Sequence, residues 1–278
     1  MISEQEFLGK INKAIKDNSI TLPTLPEVAL RIRDAVEQED SGARQIADMV
    51  ATDPALSARL LQVANSPLYR GRTTIDSIQM AVTRLGNKLI RNLIISLAMK
   101  QIFQATSDTM DTQLHAAWEQ SVQVAAISRA LSRQVPYLQP EQAMLAGLVH
   151  NIGSLPVLVM AENYPELVED GIKLRNMVES ISPHIGETIL KAWSFPESLS
   201  RIPLNCQNLE YDGGPTADYV DLVIIAKLQA LPPEHYLSQS DWSDIPSFTK
   251  IGLEPEIEVI NIEGVAEEVN EVRGMFLG

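Results

Sequence analysis

The chain has 278 residues, 45% of them apolar, with a formal charge of −14 and one cysteine, Cys206. That composition supports a sizeable core and excludes an internal disulfide and a cysteine-based zinc site, while the acidity argues against non-specific nucleic-acid binding, which rests on neutralising phosphates. The start, Met-Ile-Ser-Glu-Gln-Glu, has no basic region followed by an apolar run, no membrane span of about 18 uncharged apolar residues is expected, and the expected location is cytoplasmic.

In chain order, Phe7, Leu8, Ile11 and Ile15 predict a short amphipathic helix within residues 1–20. Thr21 to Pro26 reads as an extended double-proline entry, with Pro26 in the first turn of a helix carrying Val28, Ile32, Ala35 and Val36. Ser41 and Gly42 break it before a short helix with Ile46, Met49 and Val50. Asp53-Pro54 predicts a capped helix start with the stripe Leu56, Leu60, Leu61, Val63 and Ala64, and Asn65-Ser-Pro67 stops it. Ser77 to Leu85 reads as a helix closed by Gly86. Leu89 to about Phe103 follows as a helix with a broad apolar face.

Ala105 to Asp111 is polar, and a loop and subdomain boundary are expected there. A long helix is expected from Asp111 to Gln134, then one opened by Pro140 and interrupted by Gly153, then one to Met160. Tyr164–Glu179 reads as a helix, Ser182-Pro183 as a fresh start, and Phe195-Pro196 as another. Tyr211 to Pro215 is a turn cluster. A hydrophobic helix from Thr216 to Ala230 ends at Leu231-Pro-Pro233. Glu254–Ile262 is expected to be extended and Ile262–Phe276 helical. The expected fold is all-α, with an N-terminal helical subdomain (1–106) packed on a second helical subdomain (107–235) and an acidic C-terminal extension (236–278).

Several stretches together resemble the HDOD family, the HD-related output domains. They are Leu22-Pro-Thr-Leu-Pro-Glu-Val-Ala29, Asp53 to Pro67, Ile78 to Arg91, Trp118, Ala146-Gly-Leu-Val-His-Asn-Ile-Gly153 and His184 to Pro196. They stand in the family's order and spacing over roughly residues 20–230. The resemblance implies a helical bacterial module that acts in signalling as an output or scaffold. It also implies descent from the metal-dependent HD phosphohydrolases, whose site gathers imidazoles and carboxylates around divalent ions.

Aligned with that pattern, the upstream ligand position is Gln120, the central pair is His150-Asn151, and the downstream histidine is His184. The later ligand positions fall at Asn205-Cys206-Gln207 and at Lys227. Two imidazoles and no carboxylate remain, so no metal, no other cofactor and no catalysis are expected. Gln120, His150, Asn151 and His184 are expected to form a buried hydrogen-bond cluster in place of the metal, with a metal-free ligand pocket including Cys206 and Lys227 as the other reading. His115 and His235 read as partly exposed positions, Cys206 as a packed small residue, and Trp118 and Trp193 as core.

The charge is uneven. Pro54 to Ser107 holds seven basic residues and one acidic, whereas Gln207 to the end holds three basic and fourteen acidic. Arg84, Lys88, Arg91 and Lys100 are therefore a candidate basic docking face, and the acidic C-terminal segment beyond about Asp241 a candidate to dock on it. The expected function is a non-catalytic bacterial signal-transduction module that binds a signalling protein, with no membrane and no nucleic acid as partner. A metal-dependent phosphodiesterase acting on a nucleotide or cyclic dinucleotide, and a DNA-binding regulator, are the alternatives.

Overall fold

The computed structural model describes residues 2–17, 19–20, 22–37, 42–103 and 108–277, and among these no strand occurs. Helix α1 (Glu4–Lys16) opens on a capping box in which Ser3 and Glu6 satisfy each other's backbone amides. Phe7 and Ile11 are its buried stripe. Helices α2 (Glu27–Glu37), α3 (Ala43–Val50) and α4 (Pro54–Ala64) follow. The Asp53 carboxylate caps α4 through the Leu56 amide at 3.0 Å, with Pro54 in its first turn. Between α4 and α5 (Ile78–Leu85) the chain is stapled by Asn65. Its amide donates to the Leu61 and Ile75 carbonyls and accepts from the Ile75 amide. Gly86, at φ 85°, turns the chain from α5 straight into α6 (Asn87–Ile102). A positive φ there requires a residue without a Cβ.

Helix α7 (Asp108–Leu131), continued by a 3₁₀ turn to Gln134, is the central strut. Against it lie α8 (Pro140–Val149) and, after a turn at residues 150–153, α9 (Ser154–Ala161). The short α10 (Pro165–Val168) leads to the long α11 (Gly171–Ala192). Then come α12 (Glu197–Ser200), α13 (Ile202–Asn205), α14 (Tyr219–Gln229), α15 (Pro246–Ile251) and α16 (Val265–Leu277). Helix α14 starts on a second capping box, Asp218 with Asp221, and nine of its eleven residues are buried, so its burial is all round rather than on one stripe.

The N-terminal helices pack closely on the rest of the chain. Helix α6 packs on α8 and α1 on α11, and one continuous core runs from Phe7 to Phe276. Phe7 meets Tyr164 at 5.5 Å, the Trp193 indole donates to the Pro23 carbonyl at 3.0 Å, and Arg33 donates to the Trp193 carbonyl.

Five expectations need correction. The helix expected over Tyr164–Glu179 is broken at residues 169–170, where the Asp170 carboxylate caps the start of α11. Residues 108–111, read as loop, are the first turn of α7, while 104–107 of that expected boundary lie outside the described residues, as do Thr21 and Ser41. Ser182-Pro183 does not start a helix; α11 runs through it. An interior proline normally costs about 3 kcal/mol, but Met177, Ile181, Ile185 and Ile189 form one buried i+4 row across it, and breaking the helix would split that row. Residues 254–262 are turns and a 3₁₀ piece, Val259–Asn261, instead of extended chain. Finally, Pro140–Ala161 is apolar enough for a membrane span by composition, yet its most apolar 18-residue window is 89% buried inside this fold, in α8 and α9.

Candidate functional site

The turn that ends α8 is held by close backbone packing. A Cβ on Gly147 would lie 2.3 Å from the Ala125 Cα of α7, and one on Gly153 would lie 2.0 Å from the Ser182 carbonyl oxygen of α11. Glycine at both positions lets α7 and α11 approach the His150 turn from two sides. His150 is buried, and its Nδ1 lies 2.6 Å from the Gly147 carbonyl, which places the ring proton on Nδ1 and leaves Nε2 as the acceptor. Burial pushes the imidazole down to about pKa 3, the Lys227 ammonium pushes the same way, and the Gly147 carbonyl opposes both. The ring is therefore neutral near pH 7.

Lys227, half-buried on α14, places its Nζ 3.8 Å from the buried Cys206 Sγ. Burial raises the Cys206 pKa and Lys227 offsets part of that rise, so the thiol stays protonated and is not an activated nucleophile. Cys206 and Lys227 thus form an inner pair whose charge acts on the buried His150 imidazole. The expected cluster of Gln120, His150, Asn151 and His184 does not form. Gln120 and His184 are exposed, Asn151 is half-buried, and no hydrogen bond joins the four among the described residues. The reason is helical register. Around Gln120 the buried positions of α7 are Ala117, Trp118, Ser121 and Val122, and around His184 those of α11 are Ile181, Ser182, Pro183, Ile185 and Gly186. Gln120 and His184 fall on the opposite sides. Asn151 contributes its carbonyl, which accepts from the Ser154 hydroxyl at 2.8 Å.

This donor set does not fit a divalent cation of the HD type. Such a centre needs carboxylates and imidazoles converging on one point. Here a lysine ammonium stands beside a protonated thiol and acts electrostatically on the single inner imidazole. Among the described residues no three histidine, cysteine, aspartate or glutamate side chains are placed to share a metal.

The candidate basic residues lie along α5 and α6. The Arg84 guanidinium donates to the Thr73 carbonyl at 2.6 Å, Lys88 is exposed, and Arg91 donates to Asn92. Lys100 is half-buried near Arg59, its pKa lowered by burial and by that neighbouring charge. Lys88 and Lys100 occupy opposite ends of α6, about 18 Å apart at a helical rise of about 1.5 Å per residue, so the four do not make one compact patch.

Two buried ionic groups escaped the sequence reading. In one, Arg129 of α7 reaches both Glu141 of α8 (3.2 Å) and Glu268 of α16, Arg133 pairs with the other Glu268 oxygen, and the Tyr69 hydroxyl donates to Glu141 at 3.3 Å. Burial raises the Tyr69 hydroxyl to about pKa 12, so it stays a donor. In the other, fully buried Asp221 accepts from Ser247 at 2.8 Å and faces Lys250 at 3.7 Å, while Lys250 also pairs with Asp212. A lone charge inside an apolar run was the available signal, as in Tyr219-Val-Asp-Leu-Val-Ile-Ile-Ala226 or Val124-Ala-Ala-Ile-Ser-Arg-Ala-Leu131. Such a charge must find a partner.

A family model described as the HDOD domain matches residues 22–208. The fold is also that of a solved protein from Shewanella amazonensis SB2B, provisionally described as a metal-dependent phosphohydrolase. The two are 31% identical, with 98% of this chain and 99% of that one covered and a TM-score of 0.83. An HDOD domain protein of unknown function from Geobacter sulfurreducens shares the fold at 22% identity and a TM-score of 0.72, covering 99% of this chain and 100% of that one. An uncharacterized protein of Treponema pallidum (strain Nichols) is 28% identical over 196 residues, 68% of this chain. The chain spans only 36% of that relative's length.

Proposed function

This chain belongs to the HDOD domain family, and from that premise we propose that it is a non-catalytic signalling module that acts by binding protein partners. The observation that carries the reading is Lys227. Its ammonium lies 3.8 Å from the Cys206 sulfur and acts electrostatically on neutral His150, at the position where the HD pattern would supply the last acidic metal ligand. A fixed positive charge supplies internally what a bound cation would otherwise supply. It also repels such a cation and leaves nothing to polarise a phosphoryl oxygen or acidify a water. The Shewanella amazonensis relative's description favours the enzyme reading for that protein; here the donor chemistry opposes it.

The test is metal and turnover together. Protein purified without chelator and dialysed against Mn²⁺, Ni²⁺, Fe²⁺ and Zn²⁺ in turn should retain clearly less than one equivalent by elemental analysis. Hydrolysis of bis(p-nitrophenyl) phosphate should stay at the buffer rate with each ion. One retained equivalent that disappears in His150→Ala, or turnover that depends on His150, overturns the proposal.

A further inference from the structure

Helices α4 and α16 do not close on each other. A cleft of about 280 Å³ runs between them. On α4 its wall is Arg59, Gln62, Val63 and Ser66, at i, i+3, i+4 and i+7 of one helical face that continues past the Asn65 cap. On α16 the wall is Asn270, Glu271, Gly274 and Met275. Neither wall carries a residue of the His150 site.

Three observations point to a bound molecule. The polar groups of the cleft do not satisfy one another. Among the described residues no ion pair or hydrogen bond engages the side chains of Arg59, Gln62, Asn270 or Glu271. The Ser66 hydroxyl oxygen is buried and also has no partner among them, and a buried polar group without a partner is costly. Charge also divides across the cleft. The α4 wall is positive, with the Lys100 ammonium close enough to Arg59 for the two cations to repel, whereas the α16 wall carries the Glu271 carboxylate beside the Asn270 amide. Finally, Gly274 keeps the cleft open. Glycine weakens a helix interior, and a positive φ or a close approach ordinarily explains it, as at Gly86 or Gly147. At Gly274 neither applies, because its φ is not positive and a Cβ there would meet nothing within 4 Å.

We propose that the cleft is a binding site for a free α-amino acid with an uncharged polar side chain. Arg59 takes the carboxylate, to which a guanidinium offers paired donors. Glu271 takes the ammonium. The Gln62 and Asn270 amides and the Ser66 hydroxyl, each both donor and acceptor, remain for the polar side chain. Only Val63 and Met275 are apolar, so a large hydrophobic side chain finds little to pack on. The volume lies just below the about 300–1,000 Å³ of pockets for drug-sized ligands, which suits a small metabolite. A zwitterion joins the two walls that the chain leaves unjoined, and so ties the N-terminal helices to the last one. The inference stands apart from the protein-docking reading, since it needs neither a partner protein nor the absence of a metal.

The test is calorimetric titration of the full chain with L-glutamine, with N-acetyl-L-glutamine, which lacks the ammonium, and with L-glutaminamide, which lacks the carboxylate. L-Glutamine should bind with a Kd below about 1 mM, and each blocked derivative at least tenfold more weakly. Arg59→Met and Glu271→Gln should each weaken L-glutamine at least tenfold. Gly274→Leu puts a helix-favouring side chain into the open space, so it should abolish binding without lowering the melting temperature. Should it lower the melting temperature, Glu271→Gln decides, because it removes the charge and keeps the shape. No saturable binding of L-glutamine, L-asparagine or L-serine up to about 10 mM overturns the proposal. So does equal binding of either blocked derivative, which would leave one of the two charges unread. Binding that survives Gly274→Leu or Glu271→Gln places the molecule elsewhere and overturns it too.

Discussion

Substituting His150 by glutamine should change how stability depends on pH, and the size of the change follows from the site. The folded imidazole sits at about pKa 3 against an ordinary 6.5, with burial as the larger cause and Lys227 as the second. A depressed folded pKa means that the unfolded chain binds the proton first. The contribution of neutral His150 is therefore fully present above about pH 6.5 and is lost as pH falls toward 3. Each pH unit well inside that window is worth about 1.4 kcal/mol, so between pH 6.5 and 4.5 this one residue should remove roughly 2 kcal/mol. His150→Gln lacks the titration, while the surface carboxylates titrate alike in both proteins. The stability difference between the two, from urea unfolding followed by circular dichroism, should therefore shift by roughly 2 kcal/mol in the variant's favour over that range. Lys227→Met in the His150 protein should raise the imidazole pKa while burial keeps it below 6.5, visible as the ring proton resonances beginning to move at higher pH. A difference between wild type and His150→Gln that stays constant within about 0.5 kcal/mol would refute the buried, neutral assignment.

Two further variants probe the supports of the site. Gly147→Ala places a methyl 2.3 Å from the Ala125 Cα and 2.6 Å from its nitrogen, both backbone atoms that cannot turn aside. Helix α8 must then move off α7, and a loss of about 3 kcal/mol or more, roughly 6–12 °C in a thermal melt, is expected; a loss under about 1 kcal/mol would show that the contact is looser. Asn65→Ala removes two hydrogen bonds that staple residues 66–76 through Ile75 and a third to Leu61 at the end of α4 and should cost about 1–3 kcal/mol, with faster amide exchange confined to that loop and the end of α4. Unchanged exchange there would show that the loop is held by other contacts.

Local signals carried most of the helices. Asp53-Pro54 and Ser77 mark their N-termini in the structure as they do in the sequence, and Gly86 marks a C-terminus, because caps and φ preferences act within a few residues. The resemblance to the HD pattern at Asn151 and Lys227 is read from the motif and its spacing alone. What the sequence could not decide was which residues face one another. Gln120 and His184 sit in the expected segments, yet a rotation of each helix by its own packing turns them to solvent, and among the candidates Cys206 and Lys227 meet inside while His150 is buried under the influence of the Lys227 charge. Pro183 reads locally as a start and is overruled by a buried row that spans it. The Arg129–Glu268 pair joins residues 139 positions apart. No periodicity encodes such a contact, because the choice of partner for a buried charge is made by the tertiary fold, which alone sets what lies within reach once water is excluded.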